Sequence, residues 1–180
     1  MHIAVLASDF FRATTEGTRW HASVKPSLLT YNIMIGLFAG ANEVHRAVGL
    51  LTEMERSGVA PDLASYNAII RVLARQDTIA AEDYLVRMTN AQIYPDETTM
   101  DIFLLAYMRN QRAGTGISMV QSCFNQYGAR PTTGTFRAVV DSLLLQEDSL
   151  EAERAAFVYQ QLWPNETALV DELRSEGLNV

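Results

Sequence analysis

The sequence predicts an all-α fold: a right-handed α-solenoid of about four helix-turn-helix repeats with a flanking helix at each end. Two observations predict it. All five prolines, Pro26, Pro61, Pro95, Pro131 and Pro164, recur at spacings of 35, 34, 36 and 33 residues, and a period in the mid-thirties is that of a stacked helical hairpin. After each of the first four, apolar residues fall five, eight, nine and twelve positions on: Tyr31, Met34, Ile35, Phe38; Tyr66, Ile69, Ile70, Leu73; Met100, Phe103, Leu104, Tyr107; Phe136, Val139, Val140, Leu143. That i, i+3, i+4, i+7 pattern is one face of a helix about three turns long, which cannot bury its apolar side alone.

The elements follow in order. Residues 1–27 hold a leftover helix of an upstream repeat and a linker, since Ile3, Leu6, Phe10 and Phe11 share a helical face before Gly17. Repeats then occupy 28–62, 63–96, 97–132 and 133–163, the last two degenerate, and 164–180 forms a capping helix. Each repeat opens just after a proline, where Ser27, Asp62, Asp96, Thr132 and Asn165 can accept a hydrogen bond from the free N–H groups of a first helical turn. Short polar turns at Gly40-Ala41-Asn42, Arg75-Gln76-Asp77, Asn110-Gln111 and Gln146-Glu147-Asp148 separate the first helix from a second. The second helices carry Met54, Met88, Phe124 and Phe157 seven residues before the next proline, all expected in the core, and Gly58 and Gly128 stand where a helix ends in a left-handed residue. Gly36 and Gly40 form a GxxxG, expected to let helices pack closely. The last helix is expected from Asn165 to Glu176, stopped by Gly177, with a polar outer face suited to the end of a stack.

Composition excludes several functions. The 180 residues are 48% hydrophobic and carry a net charge of -7, so bulk neutralisation of a phosphate backbone is not this chain's chemistry. One cysteine, Cys123, forms no intramolecular disulfide and no multi-cysteine zinc site, and His2, His21 and His45 are scattered. No metal, cofactor or small-molecule substrate is expected. No phosphate loop, nucleophile–base pair or paired-acid motif is present, which argues against an enzyme. The most apolar run, Leu28 to Ala41, contains Thr30 and Asn32 and is too short to span a membrane.

The wording of the repeats resembles the pentatricopeptide repeat. The residues that carry the resemblance are Thr30-Tyr31-Asn32-Ile33-Met34-Ile35, Glu53-Met54-Glu55-Arg56-Ser57-Gly58-Val59-Ala60-Pro61-Asp62 and Ser65-Tyr66-Asn67-Ala68-Ile69-Ile70. The Trp and Leu-Gly signature of the tetratricopeptide repeat is absent. The resemblance implies a non-catalytic binder of single-stranded organellar RNA, in a mitochondrion or plastid, that uses the concave face of its first helices at about one base per repeat. It implies selector pairs Asn32 with Asp62 and Asn67 with Asp96, both favouring uracil. Leu29 and Ala64 would pack against the base face, with Arg75 and Arg109 toward the phosphates. The selectors have a plainer reading as helix-surface amides and N-caps. Asp101 with Thr132 and Arg137 with Asn165 match no selector combination. The charges keep a second function open, a scaffold or assembly subunit binding protein partners in a large organellar complex. Repeats 1, 2 and 4 are net negative, so no basic stripe runs through them.

Overall fold

A computed structural model of the chain describes residues 26–146 and 148–175. The expected upstream helix at 1–16 and the stop at Gly177 lie outside the described residues. Those described form helices in antiparallel pairs: α1 (Leu28–Gly40) with α2 (Val44–Arg56), α3 (Leu63–Leu73) with α4 (Thr78–Asn90), α5 (Glu97–Arg109) with α6 (Ala113–Tyr127), and α7 (Thr133–Leu145) with α8 (Ser149–Leu162), followed by α9 (Ala168–Ser175). The class is all-α helical repeat, as the period predicts.

The chain divides into two compact units between Ile93 and Tyr94. In the first, α1 packs on α2 and on α3, and α3 packs on α2 and α4. In the second, α5 packs on α6 and α7, α8 on α6 and α7, and α9 on α8. Each unit is thus two hairpins in parallel register, first helix on first helix.

Why these residues start helices where they do is visible at the caps. Ser27, Asp62 and Asp96 are N-caps in capping boxes whose third residues are Thr30, Ser65 and Thr99. Thr132 caps α7 by accepting from the Thr135 N–H at 3.1 Å. Proline one residue upstream of each cap fixes its own φ and disfavours helix at the residue before it, which separates the new helix from the preceding one. The sequence expectation also placed a cap at Asn165, but α9 begins at Ala168. The chain first turns through Pro164 and Asn165, with the Glu166 N–H donating to the Trp163 carbonyl at 3.0 Å, and the Thr167 carbonyl accepts from the Asp171 N–H.

Helix ends are closed by left-handed residues. Gly58 (φ 80°) and Gly128 (φ 73°) behave as expected, but Asn42 (φ 61°), Gln92 (φ 61°) and Gln111 (φ 55°) do the same work with a side chain. At Gln92 the Ile93 N–H reaches back to the Met88 carbonyl at 3.1 Å and the Gln92 N–H to Thr89 at 2.9 Å, which satisfies carbonyls the helix leaves free.

All sixteen apolar residues counted forward from the prolines are buried, Ile35, Ile69, Ile70, Phe103, Leu104, Phe136, Val139 and Val140 fully so. The second helices depart from the expectation in two repeats. Met54 and Met88 are fully buried, but Phe124 is half-buried and Phe157 is 59% exposed. Counting back from the next proline misplaces α8, because the final period is short in the connection to α9 rather than in the hairpin turn. Counted forward from Pro131, Ala152, Ala155, Ala156 and Tyr159 fall on the positions of Ala47, Leu50, Leu51 and Met54, and all eight are buried. Tyr159 takes the place assigned to Phe157. It joins Phe136 and Trp163 in an aromatic cluster, with the Tyr159 and Trp163 centroids 4.8 Å apart. Burial, then the hydrogen bond to Glu166, pushes the Tyr159 hydroxyl up to about 12. The GxxxG expectation also fails: Gly36 and Gly40 are exposed and a Cβ on either would meet nothing within 4 Å.

Candidate nucleic-acid interface

The first helices turn a regular set of residues outward. Two positions before the buried Tyr31 and Tyr66 stand Leu29, 68% exposed, and Ala64, also exposed. One turn on is Ile33, 54% exposed. Farther along come Arg71 on α3, Arg75 in the turn that follows it and Arg109 at the end of α5, all exposed. Arg71 was not picked out by sequence reasoning.

The residue after each buried aromatic is held by a defined partner. The Asn32 side-chain amide donates to both Asp62 oxygens, at 3.1 and 3.2 Å, while the Ser65 hydroxyl donates to the Asn32 Oδ1 at 2.5 Å. Asp62 also accepts from the Ser65 N–H at 2.9 Å. Burial pushes the Asp62 carboxyl up, but hydrogen bonds from Ser65, Asn32 and the Ala64 N–H outweigh it and hold the group below its ordinary value. The amide is therefore locked with its carbonyl toward Ser65, and its second N–H hydrogen remains to meet a ligand.

Asn32 and Asp62 are thus brought together as the spacing implied. Asn67 lies in the first unit and Asp96 in the second. Asn67 is not an open surface amide: it is 8% exposed. Asp96 caps α5. Asp101 is gripped by Thr132, whose N–H donates to Oδ1 at 2.8 Å and whose hydroxyl lies 3.1 Å from Oδ2. Arg137 makes a salt bridge with Glu172 of α9.

Several arginines are engaged: Arg46 with Glu43, Arg87 with Glu55, Arg154 with Glu151, and Arg130 with the Leu162 carbonyl and the Trp163 ring. Among the described residues, Arg71 on α3, Arg75 in the turn after it and Arg109 at the end of α5 have no carboxylate partner, so their positive charge stays available. Cys123 is buried, and burial pushes its thiol up to about 11, far from a nucleophile's range. No group of three or more His, Cys, Asp or Glu able to hold a metal occurs among the described residues. None of their helices is long and apolar enough to cross a membrane.

Comparison with known proteins points one way. Residues 26–75 match the PPR repeat family. Among curated proteins the chain is similar to two Arabidopsis thaliana pentatricopeptide repeat-containing proteins. One is At5g25630, at 26% identity over 56% of this chain and 18% of the relative. The other is the chloroplastic At3g09650, at 35% identity over 44% of this chain and 10% of the relative. The chain thus spans about a fifth or less of the length of these relatives. Among solved structures it is similar to the pentatricopeptide repeat protein PPR10 from maize, with a TM-score of 0.72 at 22% identity over 93% of this chain and 23% of that one. It also resembles the PPR domain of Arabidopsis thaliana protein-only RNase P 1 in complex with tRNA, with a TM-score of 0.69 at 14% identity over 96% of this chain and 89% of that one. At such identities the structural likeness shows the fold.

Proposed function

The chain carries pentatricopeptide repeats, and from that premise we propose that it is a non-catalytic module binding single-stranded RNA along the outward face of its first helices. The observation that carries the reading is the Asn32–Asp62–Ser65 network, an amide locked against a carboxylate with one N–H left to donate, beside exposed apolar residues Leu29 and Ile33. Such a group matches one base edge while the apolar surface meets the base face. Arg71, Arg75 and Arg109, exposed and without a carboxylate partner, supply phosphate contacts. PPR10 has been solved with an 18-nt psaJ RNA element and the PPR domain of protein-only RNase P 1 with tRNA. The chloroplastic names of relatives support an organellar setting.

Magnitude sets a condition on this function. Stacking and reading at two repeats contribute about 2 to 6 kcal/mol, corresponding to roughly millimolar binding or little better. These residues therefore act as a short stretch of a longer reader or beside partners. The test is a titration of the chain with uridine and adenosine oligomers at two salt concentrations. Uridine should bind more tightly, weakly and with strong salt dependence, and Asn32→Thr should reduce that preference. Equal binding of both oligomers, unchanged in the variant, would remove the reading. A scaffold for protein partners is favoured by one observation, the exposed Leu150 and Phe157, 75% and 59%, seven residues apart on one face of α8. Binding of a partner protein lost in Phe157→Ser, with no oligomer bound, would select it.

A further inference from the structure

The second helices turn a different set of residues outward. Each has a buried small residue near its start, Ala47, Ala81, Gly116 or Ala152. The positions two before, two after and five after that residue share one helical face at i, i+4, i+7 spacing. On α2 the face reads His45, Gly49, Thr52 and on α6 Gly114, Ser118, Gln121, small or polar as suits a solvated surface. On α4 it reads Ile79, Asp83, Val86, and on α8 Leu150, Arg154, Phe157. The four apolar side chains there are 57% to 75% exposed. Single exposed apolar residues are ordinary, but the same apolar pair recurs at the same helical positions in two repeats, each time around a charge. The two charges are opposite. Asp83 is exposed, and no salt bridge among the described residues engages it. The Arg154 side chain is half exposed and donates to the Ser118 hydroxyl at 2.6 Å and to Glu151 at 3.4 Å, which leaves guanidinium N–H groups to meet a second carboxylate.

We propose that these two faces are the halves of a self-association contact, in which α4 of one copy of the chain lies along α8 of another, apolar pair against apolar pair, with Asp83 opposite Arg154. Charge selects a second copy as the occupant. Two α4 faces together would oppose Asp83 to Asp83, and two α8 faces would oppose Arg154 to Arg154. Only the mixed pairing sets opposite charges at the centre, and like charges there act against the others. Asp83 and Arg154 sit near the middle of their faces, so they stay central whichever way the two helices run. The contact uses second helices and leaves the first helices, where RNA binding is placed, uncovered. Three side chains per copy make less than the roughly 800 Å² per partner of a standard interface, so association is weak, with a dissociation constant on the order of 0.1 mM. Copies linked in this way would add their separate weak RNA contacts together.

The test is sedimentation velocity of the full chain, without RNA, from about 10 μM to about 1 mM. The wild type should pass from monomer to larger species over that range. Asp83→Arg makes both faces positive and Arg154→Asp makes both negative, so each variant alone should associate at least about threefold more weakly. An equimolar mixture of the two should associate as the wild type does, because every face then meets its opposite. Circular dichroism checks that each variant keeps its helices. If Arg154→Asp fails to fold through loss of its Ser118 bond, Val86→Ser, which only trims an exposed side chain, must weaken association, and unchanged association there would overturn the proposal. Weakening by one charge reversal and not the other, no effect of either, or no recovery in the mixture would each overturn it. A wild type still monomeric at about 1 mM would overturn it too and leave the two faces to a different protein. RNA binding stands or falls separately, since no RNA enters the measurement.

Discussion

Removing the Asp62 carboxylate tests whether the link between neighbouring hairpins contributes to stability beyond ordinary capping. Asp62→Ala deletes the acceptor for the Ser65 N–H at 2.9 Å and for the Asn32 amide at 3.1 and 3.2 Å. Loss of an N-cap costs about 1 kcal/mol. The charge-assisted bond from the half-buried Asn32 adds about 1 kcal/mol, at the lower end for such bonds because both groups keep some contact with water. The expected loss is about 2 kcal/mol. Asp77 supplies the comparison, since it caps α4 by accepting from the Ile79 and Ala80 N–H groups at 2.9 and 3.3 Å, bonds that stay within its own helix. Asp77→Ala should cost about 1 kcal/mol. Urea titrations followed by circular dichroism would measure both, with the exchange rate of the Ser65 amide as a local readout. Equal losses for the two variants would refute the claim that the Asn32 contact stabilises the stack. The pH dependence has a definite sign. The folded carboxyl is held below its unfolded value, so the charge-dependent part of its contribution is full above about pH 4 and is lost as pH falls through the folded value. The gap between the wild type and Asp62→Ala should narrow in acid, whereas a packing defect would leave it unchanged.

Four further outcomes are expected. Gly36→Ala should raise stability by about 0.5 to 1 kcal/mol, because the helix gains a better former and the new Cβ meets nothing within 4 Å. Gly116→Ala should lower it by about 1 to 3 kcal/mol, because its Cβ would lie 2.8 Å from that of Tyr107; changes of the same sign in denaturation midpoints would contradict this. Gln92→Gly should stabilise by about 1 kcal/mol, since Gln92 holds φ 61° where Gly58 and Gly128 close other helices, and an unchanged or lower midpoint would show that its side chain matters there. The Cys123 thiol, pushed up to about 11 by burial, should be unreactive toward a disulfide reagent at neutral pH until the chain unfolds, and fast labelling of the native protein would show α6 to be open.

How far the sequence foretold the molecule depends on the kind of signal. Proline phase and apolar stripes are dictated locally, so the first helices and their sixteen core residues could be placed without coordinates. The Asn32–Asp62 pair followed from the resemblance, but Ser65 as its third member did not, because a serine at the third position of a helix looks like capping alone. The α8 core was misplaced because Phe157 was counted back from Pro164, and only the forward count from Pro131 shows that Tyr159 is the one turned inward. Left-handed Asn42, Gln92 and Gln111 gave little warning: side chains there hide a backbone state that glycine would have announced. The pairing of Asp101 with Thr132 needed distances, since residue types fix what can bond but not which way it points.

The bonds from α1 to the cap of α3 and from α5 to the cap of α7 have a consequence for recombination. Asn32 and Asp62 are separated by 30 residues and Asp101 and Thr132 by 31, and each contact straddles a proline. A repeat cut at those prolines and moved to another array would carry one half of a contact and abandon the other. Chimaeras should tolerate exchange when the segment extends past the next helix's third residue, taking Asp62 and Ser65 along, and lose midpoint when it stops at Pro61. The same linkage predicts that substitutions accumulate in pairs about 30 positions apart, so that the genetic unit of this chain is offset by several residues from the unit its prolines mark.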